Sequence, residues 1–325
     1  MKFKEIFNLS NQKDFDRFAL KMFHYQAENN APYKSFLNLL GIEHTNIYSV
    51  KDIPFLPIEF FKSHEILSSN DPVQETFLSS GTTGMTQSRH LVTDLSIYEE
   101  SFTRGFEEFY GPINDFTVLA LLPGYLERNG SSLIYMADKM IQKSNSEHSG
   151  FYLHNLRELA EKLEKLDSKG EKILLIGVSY ALLDLIELRK FKLKNTIVME
   201  TGGMKGRRKE LVKQELHQLL SDGFGLAQIH SEYGMTELLS QAYSKGEGIF
   251  ETPPWMKVYT RDPEDAFNLL PIGKTGGINV IDLANANSCS FIATQDLGRN
   301  INELQFEILG RFDHSDIRGC NLMVV

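Results

Sequence analysis

The sequence predicts an α/β fold in which helices flank parallel sheets, followed by a small β-rich subdomain. From residue 155 onward, short and almost wholly apolar strands such as 172–178 alternate with amphipathic helices. Strands that are apolar on both faces are typical of a parallel sheet buried between two layers of helices. Beyond about residue 250, prolines and glycines bracket short strands instead, which indicates β structure. We therefore expect an α/β region over 1–250, in two subdomains, and a β-rich subdomain over 251–325.

Length and composition are those of an ordinary globular protein. The 325 residues are 42% hydrophobic and 24% charged, and a chain of this length usually divides into subdomains. No apolar run approaches the ~20 residues that cross a bilayer, and no signal-peptide pattern is evident. The two cysteines, Cys289 and Cys320, make no disulfide framework, and the net charge of −9 argues against a nucleic-acid surface. We expect a soluble cytoplasmic protein without a membrane span or a nucleic-acid partner.

The N-terminal part is predicted to be helical and then extended. Residues 12–45 carry an apolar stripe at near-helical spacing. Over 51–67, Pro54 and Pro57 exclude a continuous helix, so we expect an extended segment and a short turn over an apolar surface. This segment either packs in the core or lines an apolar substrate channel, and the sequence leaves both roles open.

The remaining elements alternate in the order that the fold class requires. Helices are predicted at 94–110, 130–143, 155–168, 180–190 and 207–221. Strands are predicted at 116–122, 172–178, 195–200 and 227–230, and in the β-rich part at 277–281 and 289–293. Ligands of open parallel sheets bind outside the carboxyl ends of the strands, so the segments that follow these strands are the candidate sites.

The stretch 77–90 is predicted to surround a phosphate group. Between Ser79 and Thr86 it contains two glycines and five hydroxyl residues. Such loops close backbone amides and hydroxyls around phosphate oxygens, because glycine lets the main chain turn and approach freely. The Walker A pattern Gly-x-x-x-x-Gly-Lys-Ser/Thr does not occur. An ordinary surface turn has the same composition, so other segments must decide between the two interpretations.

Two polar segments follow predicted strands of the parallel sheet and suit a nucleotide base. Strand 195–200 leads into Gly202 and Gly203, which would admit a flat ring. Strand 227–230 leads into Tyr233, whose side chain could stack on that ring. Either segment taken alone could be no more than a turn.

Further residues suit the phosphates, a metal ion and a ribose. Thr236 could donate to a phosphate, and Glu237 could hold Mg²⁺, a hard cation that takes oxygen ligands. Asp296, placed after the predicted strand 289–293, could accept hydrogen bonds from both ribose hydroxyls. Each of these residues alone could be a solvated acid or a cap. Together with the loop at 79–84 they fit one bound nucleoside triphosphate.

Four motifs in this order resemble those of the adenylate-forming superfamily of acyl-CoA synthetases, peptide-synthetase adenylation domains and luciferases. They are the phosphate loop Ser79-Ser-Gly-Thr-Thr-Gly84, the adenine and magnesium motif Tyr233-Gly-Met-Thr-Glu237, the ribose aspartate Asp296 and the hinge motif Gly310-Arg-Phe-Asp313. Within the superfamily the chain is similar to the LuxE-type acyl-protein synthetases of bacterial fatty acid reductase complexes, through segments 53–62 and 317–323. The resemblance implies the fold of the superfamily's N-terminal domain.

The resemblance also implies the residues of the site. The nucleotide would contact Ser79, Ser80, Gly81, Thr82, Thr83, Gly84, Gly202, Gly203, Tyr233, Gly234, Met235, Thr236, Asp296 and Arg311. Mg²⁺ would bind Glu237, and Thr236, Arg311 and Cys320 would take part in catalysis. Cys289 lies in a predicted strand, and we expect it in the core.

The implied activity is ATP-dependent conversion of a fatty acid to acyl-AMP, followed by transfer of the acyl group to Cys320 and hand-over to a reductase subunit. A carboxylate is a poor acyl donor, and joining it to AMP supplies a good leaving group. Positioned hydroxyls, amides and Mg²⁺ stabilise the charge that develops at the α-phosphorus, and a thiolate then forms the thioester. Two alternatives remain: a ligase that transfers an acyl or aryl group to coenzyme A or a carrier protein, and a non-catalytic subunit that binds nucleotide or acyl group.

The sequence departs from the superfamily pattern in three places. The loop continues as Met85-Thr-Gln-Ser-Arg89, which would leave the cationic phosphate contact to Arg89. The hinge stretch 310–319 is shorter than usual. We also expect no C-terminal lid domain, whose lysine assists adenylation in most of the superfamily. Either adenylation is slow, or Lys205, Arg207 or Arg311 substitutes, or a partner subunit contributes.

Overall fold

The structure is a computed structural model that describes residues 3–79, 86–123, 130–153, 155–202, 208 and 211–312. The α-helices in these ranges are α1 (Gln12–Asn29), α2 (Ala31–Leu39), α3 (Phe60–Ser63), α4 (Leu95–Tyr110), α5 (Ser132–Lys143), α6 (Leu156–Ser168), α7 (Ser179–Leu188) and α8 (Lys213–Phe224). The β-strands are β1 (Leu56–Pro57), β2 (Glu75–Leu78), β3 (Arg89–Val92), β4 (Thr117–Leu121), β5 (Gly150–Tyr152), β6 (Ile173–Val178), β7 (Thr196–Thr201), β8 (His230–Tyr233), β9 (Ala242–Ser244), β10 (Ile249–Glu251), β11 (Met256–Arg261), β12 (Gly276–Asp282), β13 (Phe291–Asn300) and β14 (Gln305–Arg311). Short 3₁₀ turns occur at Phe3–Asn8, His44–Asn46, Val50–Asp52 and Ile113–Asp115.

Most of the described strands belong to one 12-stranded sheet of order β11-β12-β13-β14-β10-β9-β8-β7-β6-β4-β5, with β1 beside β13. From β5 to β8 neighbouring strands are parallel, which confirms the predicted parallel sheet. From β8 to β11 they are antiparallel. The β-rich region is thus hydrogen-bonded to the parallel half through β8 and β9, and the proposed division at residue 250 stays a prediction. Strands β2 and β3 form a separate hairpin.

The central strands of the parallel half are fully buried. Every residue of β4 and of β6 is buried, as expected for strands that are covered on both faces. Apolar side chains of the neighbouring helices, such as Leu163 of α6 and Leu185 of α7, are buried as well. Each such buried side chain contributes about 1.5–3 kcal/mol of transfer free energy. This half forms the rigid support on which the polar residues at its edge are placed.

Most of the predicted helices are present, with two corrections. Helices α4, α5, α6 and α7 lie close to the predicted bounds. The helix predicted over 12–45 is interrupted after Asn29, because the Asn30 side chain caps α2 by accepting from the amide of Tyr33, and Pro32 occupies the first turn of that helix. The helix predicted at 207–221 is described from Lys213 to Phe224, where Gly225 ends it in the left-handed conformation.

Two strands near the predicted site were placed wrongly. The strand predicted at 227–230 is β8, which begins at His230 and continues through Glu232 and Tyr233. Its polar side chains mislead a prediction based on hydrophobicity, since they are buried through hydrogen bonds to the neighbouring strand. Asp296 lies inside β13 rather than after it, because the strand continues to Asn300 as the antiparallel partner of β14.

The predicted extended segment and turn over 51–67 are confirmed. Leu56 and Pro57 form the short strand β1, which runs parallel to β13, and α3 follows as a single turn. Phe55, Leu56 and Phe61 are buried, so this segment packs in the core. A role in lining a substrate channel stays a prediction.

The described residues also test two further predictions, on membrane-spanning helices and on the burial of Cys289. No helix among them is both long and apolar enough to cross a membrane. Cys289 is fully buried, as predicted, and burial raises the pKa of its thiol to about 12. A thiol in that environment is not a thiolate near neutral pH.

Candidate nucleotide-binding site

The hairpin of β2 and β3 holds the two ends of the predicted phosphate loop together. The amide of Ser79 donates to the carbonyl of Ser88 at 3.1 Å, and the amide of Ser88 donates to the hydroxyl of Ser79 at 2.8 Å. The side chain of Gln87 donates to the carbonyl of Ser79 at 2.7 Å. Ser80, Gly81, Thr82, Thr83 and Gly84 lie outside the described residues, and their contact with phosphate stays a prediction.

The hairpin is fixed in turn to the segment that follows β8. Burial lowers the pKa of His90 to about 4, so the imidazole is neutral, and its Nδ1 lies 2.8 Å from the carbonyl oxygen of Thr236. A neutral imidazole must carry its hydrogen on Nδ1 to make this bond. The side chain of Ser88 hydrogen-bonds the carboxylate of Glu237. Ser88 therefore connects Ser79, at the start of the predicted phosphate loop, to the predicted metal ligand.

Glu237 is buried without a close cation. Burial raises the pKa of its carboxyl group, although the bond from Ser88 and the charges of Arg311 and Lys62 oppose the increase. No group of three or more His, Cys, Asp and Glu side chains in the described chain could hold a metal ion by itself. Mg²⁺ is usually bound by one or two carboxylates together with phosphates and water, so this single buried carboxyl group fits the predicted ion when a nucleotide supplies the other ligands.

The predicted ribose aspartate is the centre of a second cluster. Asp296 Oδ2 accepts from the hydroxyl of Tyr233 at 2.7 Å, and Oδ1 accepts from Arg311 Nε at 3.1 Å. Asp296 and Arg311 also face each other across β13 and β14. Asp296 is buried, whereas the Arg311 side chain is 77% exposed. Because a carboxylate offers about four acceptor positions, each oxygen of Asp296 can still accept from a ribose hydroxyl.

Tyr233 is held by its ring as well as by its hydroxyl. The ring packs edge-on against Phe306, at 5.6 Å between centroids, and at a tilt against Phe250, at 5.8 Å. Burial and the carboxylate of Asp296 both raise the pKa of the phenol. The side chain is therefore a neutral donor that orients Asp296, and the predicted stacking of its ring on a base stays a prediction.

The predicted glycines lie at the ends of β7 and β8. Gly202 has φ of 66° and its carbonyl accepts from the Ser179 hydroxyl at 3.0 Å, while Gly203 lies outside the described residues. A side chain at Gly234 would collide with the carboxyl group of Glu232. Met235, next along the chain, packs against the core. A larger residue at 234 would therefore displace the carboxyl group of Glu232.

Behind these residues lies a buried ionic cluster that the sequence analysis did not identify. Glu200 accepts from Lys213 Nζ at 2.6 Å and from the Ser231 hydroxyl at 2.7 Å. His217 lies 3.5 Å away and the Ser179 hydroxyl 3.2 Å away. Burial alone would raise the pKa of Glu200, but these partners lower it to about 2. Glu200 ends an apolar strand, and that unusual position was the available sequence signal.

A second buried carboxyl group lies on β8. Burial raises the pKa of Glu232 to about 7, and the nearby charge of Glu200 adds to the increase. Its Oε2 accepts from the Thr201 hydroxyl at 2.5 Å, which joins the ends of β7 and β8. None of the described cations forms a salt bridge with this acid, unlike Glu200, and it therefore holds a proton over much of the range below pH 7.

The predicted cationic contact from Arg89 stays a prediction. Successive side chains of a strand point to opposite faces. Ser88 and His90 both contact the segment at 236–237, so Arg89, between them, points away, and its side chain is exposed. Lys205, Arg207 and Cys320 lie outside the described residues.

Comparisons with solved structures define the class of fold. The chain superposes on ATP-bound MatB from Rhodopseudomonas palustris with a TM-score of 0.56 and 17% identity, over 75% of this chain and 49% of that chain. It superposes on a 2-hydroxyisobutyryl-CoA ligase, in complex with 2-HIB-AMP and CoA, with a TM-score of 0.62 and 12% identity, over 94% and 70% of the two chains. The chain spans about half the length of MatB. The fold is that of adenylate-forming enzymes.

The family model for "Acyl-protein synthetase, LuxE" matches residues 5–325, and the chain belongs to that family. A long-chain-fatty-acid–luciferin-component ligase of Vibrio harveyi is 25% identical over 340 aligned positions, which cover 97% of this chain and 88% of that protein. The resemblance drawn from the four motifs and from segments 53–62 and 317–323 is thereby confirmed. So is the predicted class of enzyme, an AMP-forming ligase, at the level of the family.

Proposed function

We propose that this protein uses ATP to activate a long-chain fatty acid as acyl-AMP and then carries the acyl group as a thioester on Cys320. One observation supports this proposal most strongly: the contacts of Ser88, Thr236 and Tyr233 bring the predicted phosphate, metal and ribose residues together at one edge of the sheet. The family and the name of the Vibrio harveyi relative support the choice of a fatty acid.

In the first step a carboxylate oxygen of the acid attacks the α-phosphorus of ATP. The bond between that phosphorus and the α,β-bridging oxygen breaks, and pyrophosphate leaves with the electron pair. We propose that Asp296 fixes the ribose and that the hydroxyls of Ser79 and Thr236 donate to phosphate oxygens. When bound at Glu237, Mg²⁺ would neutralise charge on the phosphates. Arg311 is exposed at its guanidinium end and can contact a phosphate while its Nε holds Asp296.

In the second step a thiolate attacks the acyl carbonyl carbon and AMP leaves, which forms the thioester. Of the two cysteines in the chain, Cys289 is unsuited because it is buried and its thiol pKa is about 12. Cys320 is therefore the acceptor in this proposal. Hand-over of the acyl group to a reductase subunit, and a cytoplasmic location, belong to the same proposal.

Intact mass spectrometry tests the whole sequence of reactions. The protein is incubated with ATP, Mg²⁺ and a mixture of fatty and aryl acids, beside Cys320→Ser and, as the matched control, Cys289→Ala. We expect an acyl-sized, hydroxylamine-labile increment on the parent and on Cys289→Ala. Cys320→Ser should form acyl-AMP without the increment.

Two other results would contradict the proposal in different ways. Acyl-AMP in solution with no increment on any variant would show that the acyl acceptor is a separate thiol, such as coenzyme A or a carrier protein. If neither acyl-AMP nor acyl-protein forms with any acid, the protein is a subunit that binds nucleotide or acyl group without catalysis.

A further inference from the structure

The segment before α3 runs along the strand that carries Asp296. The amide of Ile58 continues the β1 pairing by donating to the carbonyl of Ala293 at 3.0 Å. Strand β1 ends level with Ala293, three residues before Asp296 along β13. Beyond that point the side-chain amide of Gln295 donates to the carboxylate of Glu59. The start of α3 is thus held to the residue that precedes the predicted ribose residue in β13.

The other side of α3 contacts the hairpin that flanks the predicted phosphate loop. The ring of Phe61 packs edge-on against the imidazole of His90, at 5.7 Å between centroids. His90 is the residue bonded to the carbonyl of Thr236. A single helical turn therefore contacts both β13 and the β2–β3 hairpin.

Lys62 lies on this turn, next to Phe61. Its side chain is partly buried, and within the described ranges it lies in no salt bridge. Its positive charge acts on the buried carboxylate of Glu237, as does that of Arg311. An ammonium group near that carboxylate, with three donors and no salt-bridge partner among the described residues, suits the oxygens of a phosphate chain.

The other cations near the site differ in their contacts. Arg261 donates to the carbonyl groups of Ile278 and Thr294, at 2.7 and 2.6 Å. Arg311 donates to Asp296 through Nε, which leaves its other guanidinium nitrogens for a phosphate, and Arg89 is exposed. Lys62 differs from Arg311 because its ammonium group lies in no salt bridge among the described residues.

We propose that Lys62 is a catalytic residue whose ammonium group binds phosphate oxygens of the nucleotide beside Glu237 during acyl-AMP formation. This inference rests on the proposed function. Negative charge shifts onto the departing pyrophosphate as the bond to the α-phosphorus breaks, and a fixed cation beside it lowers the barrier. The acid and ATP supply every atom of the reaction, and Lys62 contributes charge and hydrogen bonds only.

The test compares Lys62→Met, Lys62→Arg and the matched control Lys51→Met. Lys51 is exposed and lies in the same stretch of chain, ahead of β1. Fatty-acid-dependent exchange of pyrophosphate into ATP reports acyl-AMP formation, and calorimetric titration with MgATP reports binding. We expect Lys62→Met to lower the exchange rate at least about 100-fold and to weaken MgATP binding at least about tenfold. Lys62→Arg should recover most of both, and Lys51→Met should match the parent.

Failure of this inference differs from failure of the proposed function. If the parent shows no exchange with any acid, the proposed function fails first. If the parent exchanges and Lys62→Met does so equally well, Lys62 has no such role. The inference is also overturned if Lys62→Arg is as impaired as Lys62→Met while both melt at the parent temperature, since charge would then not be what matters.

Discussion

Two buried glutamates at the same edge of the sheet differ in their surroundings. Glu200, at the end of a parallel strand, is surrounded by Lys213, His217 and two hydroxyls, and its pKa falls to about 2. Glu237, after β8, accepts from the Ser88 hydroxyl and a backbone amide, and burial raises its pKa. The first carboxylate is stabilised by an ion pair within the protein, whereas the second has no ion pair among the described residues. The comparison distinguishes residues that stabilise the fold from residues whose charge a bound ligand would stabilise.

Removing the cation beside Glu200 should have the largest effect on stability. Lys213→Met leaves a buried carboxylate without its ion pair, which costs about 3–5 kcal/mol of unfolding free energy. Urea denaturation at pH 7 measures the loss, with the exposed Lys165→Met as control. The double variant Glu200→Gln/Lys213→Met should recover part of the loss, because it no longer buries an unpaired charge. Equal stability of Lys213→Met and the parent would mean that Glu200 does not depend on this pair.

Removing the charge of Glu237 should lower the activity of the protein without lowering its stability. Glu237→Gln is expected to lower Mg²⁺-dependent pyrophosphate exchange at least about 100-fold, if this carboxylate binds the ion that neutralises the phosphates. Its stability without nucleotide should equal or exceed that of the parent, because the raised pKa of Glu237 shows that its ionised form is disfavoured in the fold. A melting temperature as low as that of Lys213→Met, with exchange intact, would place Glu237 in the scaffold.

Glu232 sharpens the comparison through its dependence on pH. Its pKa is raised from 4.5 to about 7, so the folded protein keeps a proton that the unfolded chain releases in this window. Its contribution to stability is full below pH 4.5 and is lost as pH rises through 7. Relative to Glu232→Gln, the parent should lose about 3 kcal/mol between pH 4.5 and pH 8. Parallel stability curves for the two proteins would contradict the shift.

The smallest expected effect concerns the hydroxyl between the two predicted ligand groups. Ser88→Ala removes the hydrogen bond to Glu237 but keeps the backbone bonds to Ser79. We expect exchange to fall roughly tenfold, which corresponds to one hydrogen bond to a charged group. The exposed Ser63→Ala serves as control. An unchanged KM for MgATP together with unchanged exchange would show that Glu237 is positioned without Ser88.

The sequence predicted the parallel half well because its strands are apolar on both faces. Residues such as those of β4 and β6 can be buried nowhere else, so periodicity and length suffice to identify them. The four motifs also selected Tyr233, Asp296 and Arg311, which are in contact in the structure. Their roles in binding nucleotide stay predictions.

The errors arose where long-range contacts decide the structure. Strand β8 carries the polar residues His230, Ser231 and Glu232, and a prediction based on hydrophobicity assigns such residues to a loop. Ser231 and Glu232 can lie in the sheet because they hydrogen-bond to residues of β7 and α8. Lys62 was passed over because only the pairing of β1 with β13 brings it near Glu237.

The most direct test of the candidate site is fatty-acid-dependent exchange of labelled pyrophosphate into ATP, measured on the parent and on Asp296→Ala. Asp296 is the one residue that Tyr233 and Arg311 both hold in place. We predict exchange that requires the acid with the parent, and a rate below about one hundredth of it with Asp296→Ala, as for loss of a preorganised contact. Absence of exchange with every acid, or equal rates in the two proteins, would contradict the assignment of this cluster as the site of acid activation.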